Sequence, residues 1–125
     1  MAGERILVVD DEAEIVELLR DVLVADGYVV DAAPDAGAAL RLIRENIYDL
    51  ALIDFNLPHM DGVMLHHQIR QMDVELAAST IFMSGLLQSD ENLGYYMSHS
   101  GGFLAKPFDI ADVLRRVVAP LGEES

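Results

Sequence analysis

The chain has no cysteine among its 125 residues. Disulfides and thiolate metal sites are therefore excluded. Cations are scarce: 8 Lys and Arg stand against 22 acids, for a formal charge of −14. Nucleic-acid binding rests on cations, so no direct nucleic-acid contact by this domain is expected. No apolar run approaches the roughly 20 residues that cross a bilayer, and no membrane segment is expected. Residues 1–5 lead directly into a strand-like run, so no signal peptide is expected either. These absences together predict a soluble, cytoplasmic protein. Lysine is nearly missing too. Seven of the cations are Arg, Lys106 is the only lysine, and no cation lies between Arg70 and Lys106. A lysine used once, just before a proline, reads as a sited group rather than a solubilising charge.

What is present is apolar. The chain is 52% hydrophobic, enough for a proper core, and its length is that of one domain, 1–125 with a core over about 5–121. Residues 5–9 form a short continuous apolar run, rich in β-branched residues and bounded by acids, and read as a strand buried on both faces. Asp11 then caps a helix, with Glu12 and Glu14 in its first turn and Ile15, Leu18, Leu19, Val22 and Leu23 at helical spacing. Gly27 ends it. Residues 28–33 are a weaker strand, and Asp31 within it marks a sheet edge or a solvent-reaching position. Pro34 and Asp35 open a second helix with Ala36, Ala39, Leu40, Ile43 and Ile47 as its stripe. Residues 50–53 are a central strand. A third helix follows over 62–71, with Leu65, Ile69 and Met72 inward. Residues 80–83 are the fourth strand, and 88–99 a poor helix with the stripe Leu93, Tyr96 and Met97. Residues 103–105 are the fifth strand. Asp109 caps a last helix whose stripe is Ile110, Val113, Leu114, Val117 and Leu121. This alternation predicts an α/β fold, a parallel sheet with helices on both faces.

In such a sheet, ligands bind beyond the carboxyl ends of the strands. The polar residues at those ends are Asp10, Asp11, Asp54, Ser84 and Lys106. Taken singly, each has a plainer reading: the Asp10-Asp11 pair as a helix cap, Asp54 as a turn former ahead of Pro58. Brought together, three carboxylates repel one another. A hard divalent cation such as Mg2+ resolves that repulsion, because it takes oxygen ligands and keeps several waters. His59, His66, His67 and His99 are scattered and read as surface or helix-face residues, so zinc is disfavoured. Lys106 supplies an ammonium for an anion, Ser84 a hydroxyl, and Gly85 a close approach to backbone N–H groups. These are the parts of phosphoryl transfer, with Asp54 itself as the acceptor.

With those residues in place, the chain resembles the receiver domain of two-component response regulators over about 5–121. The matching pieces are Val8-Val9-Asp10-Asp11-Glu12, then Asp54 followed by Leu57-Pro58-His59-Met60-Asp61-Gly62, then Ser84-Gly85, then Phe103-Leu104-Ala105-Lys106-Pro107-Phe108. The resemblance implies a flavodoxin-like doubly wound (βα)5 fold, five parallel strands in the order 2-1-3-4-5. It implies that Asp54 is the phosphoacceptor. Asp11, Asp54 and the Asn56 carbonyl would hold Mg2+ directly, and Asp10 through water. Lys106 would bind a phosphoryl oxygen, with the Lys106-Pro107 peptide cis. Ser84 would be the switch hydroxyl and Phe103 the switch aromatic. The donor would be a phosphohistidine on a sensor histidine kinase or histidine phosphotransfer protein. The responding surface, read by a downstream protein, would comprise the helix over 88–99, the fifth strand and the last helix. The domain would catalyse only its own phosphorylation and dephosphorylation.

Three features depart from the family pattern. Phe103 has no hydroxyl, His99 stands where Gly often closes the fourth helix, and the cation-poor stretch 71–105 lacks basic partners for a charge-paired dimer. Two other readings compete. One is a phosphorylation-independent interaction module of the same fold, against which the full set Asp10, Asp11, Asp54, Ser84 and Lys106 speaks. The other is a small Mg2+-dependent phosphatase, which would need an aspartate shortly after the nucleophile, where Asn56 stands.

Overall fold

The computed structural model describes residues 3–55, 57, 62–84, 102–106 and 108–118, of which 62, 63, 84, 102, 103, 105 and 118 through their backbone alone. Five strands, β1 (Arg5–Val9), β2 (Val29–Ala33), β3 (Leu50–Asp54), β4 (Thr80–Ser84) and β5 (Gly102–Ala105), make one parallel sheet. Their order is β2-β1-β3-β4-β5, as the family resemblance implies.

Successive strand residues point to opposite faces, so one apolar run feeds two cores. Leu7, Val9, Ala51, Ile53 and Phe82 pack under α2 (Ala36–Glu45), α3 (Gly62–Met72) and α4 (Val74–Ala78). Ile6, Val8, Leu50, Leu52, Ile81, Met83 and Leu104 pack under α1 (Ala13–Ala25) and α5 (Ile110–Val113), which widens into a π-helical turn over Leu114–Val118. The register sets Val8 beside Leu52 and Leu7 beside Ala51, keeping each face continuous across the central pair. β3 is buried at every position, whereas the edge strand β2 is largely half-exposed, as Asp31 foretells.

The helix ends follow local chemistry. Asp35 accepts from the Ala38 N–H at 2.8 Å and starts α2. Asp109 and Asp112 form a reciprocal capping box at α5. Gly27 ends α1 with φ at 95°, a region that a side chain disfavours. Asp11 is not the cap of α1: Glu12 holds the N-cap position without a side-chain cap bond, and it is Asp10 Oδ1 that accepts the Glu12 N–H, at 2.9 Å.

Other departures have physical causes. The sequence reading carries no helix between 71 and 80, but Asp73 accepts from the Leu76 N–H at 3.0 Å and opens α4, which buries Leu76 and Ala77. Five residues are too few to show a period. α2 ends at Glu45 and Asn46 turns extended, so Ile47 leaves the stripe and stands 80% exposed. Met72, at the end of α3, is 41% exposed rather than inward. On the last helix, Val113 and Val117 are buried, but Ile110 and Leu114 are largely exposed. The predicted helix over 88–99, with its stripe, and Leu121 lie outside the described residues.

Candidate functional site

Asp10 follows β1, Asp54 ends β3, and Lys106 follows β5. The parallel order therefore brings all three to the carboxyl rim. The backbone fixes them there. The Asp10 N–H donates to Ala33 O at 3.1 Å, and the Phe55 N–H to Met83 O at 2.9 Å, which extends the ladders beyond the strands. Asp10 and Asp54 are buried, at 2% and 6% exposure.

One ammonium answers several acids. Lys106 Nζ donates to Asp10 Oδ2 at 3.0 Å and to Glu12 Oε1 at 3.1 Å, and lies 3.5 Å from Asp54 Oδ2. Burial pushes the Lys106 pKa down. The hydrogen bonds to Asp10 and Glu12, with the charges of Asp10 and Asp54, outweigh it and leave the pKa above the ordinary lysine value. Lys106 is therefore charged at neutral pH.

The three carboxylates exceed the ammonium by two negative charges. Asp10, Glu12 and Asp54 each offer an oxygen within 4.8 Å of the others'. The donors are all hard oxygens, with no His or Cys among them, and their charge is under-compensated. That chemistry fits a hard divalent cation such as Mg2+. Asp11 is exposed and does not belong to this group, whereas Glu12 does. Sequence reasoning placed Glu12 only in the first turn of a helix. The signal that would have found it is the single lysine, whose three N–H donors call for more than one acid.

The backbone of Ser84 also reaches this rim, paired with Ala105 next to Lys106. Phe103 pairs with Phe82 one step inside the sheet. The side chains of both, and all of Asn56, 58–61 and Pro107, lie outside the described residues. Behind the rim, Phe55 and His66 each meet Phe82 edge-on, at 6.3 and 5.3 Å between ring centres. His66 is not a surface residue: it is fully buried, with Nε2 2.9 Å from Ala77 O. A carbonyl only accepts, so Nε2 carries the proton. His66 thus fastens α3 to α4 and stands apart from the acids.

A family model described as the response regulator receiver domain matches residues 6–118. The chemotaxis protein CheY of Bacillus subtilis is 32% identical over 116 residues, covering 92% of this chain and 95% of that protein. The transcriptional regulatory protein PrrA of Mycobacterium tuberculosis is 32% identical over 121 residues, 97% of this chain but 51% of that protein. The chain spans about half the length of several curated relatives that it matches. Among solved structures, a CheY-like receiver domain protein from Methanospirillum hungatei superposes with a TM-score of 0.88 at 29% identity, covering 98% of this chain and 97% of that one.

Proposed function

The chain belongs to the family of response regulator receiver domains, and from that membership we propose that Asp54 accepts a phosphoryl group from a phosphohistidine on a sensor histidine kinase or histidine phosphotransfer protein. The observation that carries this reading is the buried Asp54 beside the only lysine of the chain, 3.5 Å away, in a group where one ammonium meets three carboxylates. Receiver domains are signalling domains rather than enzymes acting on separate substrates.

In the transfer, an Asp54 carboxylate oxygen forms the O–P bond as the donor's N–P bond breaks. The electron pair stays with the donor imidazole, which takes up a proton. Lys106 meets the charge that gathers on the phosphoryl oxygens, from a position already set by β5. As the family resemblance implies, Asp11, Asp54 and the Asn56 carbonyl would hold Mg2+ directly, and Asp10 through water. When bound, the ion supplies neutralising charge for the phosphoryl group. Hydrolysis reverses the state when water attacks phosphorus and the Asp54 carboxylate leaves.

The output is a population shift. The new anion would draw the Ser84 hydroxyl toward it and Phe103 inward behind it. The surface that changes would be the segment 88–99 with β5 and α5, offered to a downstream protein. One receiver unit over 1–125 accounts for this activity.

The test is incubation with a small acyl phosphate or phosphoramidate and Mg2+, read by intact mass. One phosphoryl group is gained by the wild type; Asp54→Asn or a chelator reduces the adduct to background. No gain across several donors sinks the reading.

A further inference from the structure

We infer that Glu12 is a positioning residue, whose carboxylate tethers Lys106 in the unphosphorylated state and holds its ammonium back from Asp54. The inference rests on the reading of Asp54 as phosphoacceptor and concerns the regulation of that same site.

The distances order the lysine's partners. Asp10 and Glu12 receive hydrogen bonds of 3.0 and 3.1 Å, whereas Asp54 stands at 3.5 Å, an ion-pair distance. The ammonium is thus engaged by two acids other than the acceptor. Those two acids form one closed unit with it. Asp10 Oδ1 takes the Glu12 N–H, Asp10 Oδ2 takes the lysine, and the Glu12 side chain returns to the same lysine. Asp10 is buried and fixed, so it sets where Glu12 starts. Glu12 also occupies the N-cap position of α1, and its carboxylate makes no cap bond but turns to Lys106.

The strength of the contact suits a tether rather than a lock. The Glu12 side chain is 61% exposed, so solvent screens the pair. Asp54 gains a more highly charged anion on phosphorylation, which then outcompetes one part-exposed carboxylate for the ammonium. Glu12 therefore sets how fast Lys106 reaches the phosphoryl group, not whether it does.

A negative charge near the site would also repel an anionic donor, without any tether. Repulsion acts whether or not Lys106 is present; a tether acts only through Lys106. A double-mutant cycle separates the two. The single lysine offers a second readout, because selective 15N-lysine labelling gives one side-chain signal. In the unphosphorylated full chain without donor or metal, Glu12→Gln should shift that Lys106 Nζ signal. With a small acyl phosphate and Mg2+, Glu12→Gln should be phosphorylated about two- to fivefold faster than wild type, the size expected of one part-exposed ion pair. Adding Glu12→Gln to Lys106→Met should change the rate no further. An unmoved Lys106 signal, an unchanged or slower rate, or the same gain in the Lys106→Met background overturns the tether. A wild type that takes up no phosphoryl group overturns the Asp54 reading instead, and the Lys106 signal, read without donor, then decides the tether by itself.

Discussion

The two ends of β1 each hold a cation among acids, and they use it differently. At the amino end, Arg5 Nη2 donates to Asp31 Oδ2 at 2.9 Å, and the Tyr48 hydroxyl donates to the same oxygen at 2.7 Å. The Arg5 backbone N–H goes to Asp49 Oδ2 at 2.8 Å, and the guanidinium lies over the Tyr48 ring, 5.4 Å from its centre. Each acid there has its own donor. At the carboxyl end, the Lys106 ammonium serves Asp10, Glu12 and Asp54 together. The first arrangement is a fastener between β1, the edge strand β2 and the entry to β3. The second keeps acids close together against their repulsion, which makes it receptive to a cation or to a reaction that changes its charge. The number of acids paired with one cation, rather than the presence of ion pairs, separates the two roles.

The comparison breaks if both ends respond alike to the loss of an acid. Asp31→Ala should lower stability by about 2 kcal/mol, since it strips a charged acceptor from both Arg5 and the buried Tyr48 hydroxyl. Part exposure of Asp31 keeps the loss from being larger. Urea unfolding near neutral pH measures it. A loss below a few tenths of a kcal/mol would mean that the amino-end network is ornamental.

The carboxyl end of this contrast is legible in the sequence and the Arg5 network at the amino end is not, and the reasons are local. Strands that end on charged residues are visible as apolar runs with polar stops, and the sequence alone places Asp10, Asp54 and Lys106 at one rim. Asp31 within a weak strand gave the sheet edge. Residues whose roles depend on what packs over them were not legible. His66 looks like its neighbour His67 in sequence, but α4 covers the first and not the second. α4 itself has too few residues for a period to declare it. Glu12 was hidden for another reason. Three successive acids at the start of a helix all suit the cap, and only the geometry shows that Asp10 bonds the backbone while Glu12 turns to a residue far along the chain.

The carboxyl end should answer with the opposite sign. Asp54→Asn keeps the size and an acceptor oxygen but removes one of the crowded charges. Without added divalent cation, it should raise stability by about 1 kcal/mol. The same urea experiment checks it. A clear loss would mean that Lys106 already satisfies the three carboxylates, and the distinction between the two ends would fall.

The smallest effect is in alkali, and it sharpens the comparison by separating the ends in pH. Burial comes first, then the hydrogen bond to Asp31 and its charge; together they hold the Tyr48 phenol well above its ordinary 10.0, against the opposing influence of Arg5 and Asn46. The neutral phenol is thus favoured in the fold. Its contribution is complete below the unfolded value and declines as pH rises past it, because the unfolded chain releases that proton first. Lys106, also raised, favours its charged form in the fold, so its contribution is lost in the same direction, but only above the ordinary 10.5. Between about pH 9 and about pH 10.5, the amino end should therefore weaken while the carboxyl end holds. Tyr28, raised by burial and then by Glu4 and Asp26, adds to the decline in any variant that retains it. The difference between wild type and Tyr48→Phe isolates Tyr48: the wild type should lose about 0.5 kcal/mol more across that window. Parallel curves for the two proteins would show that the Tyr48 hydroxyl is not held by Asp31 in solution, and the amino end would then rest on Arg5 alone.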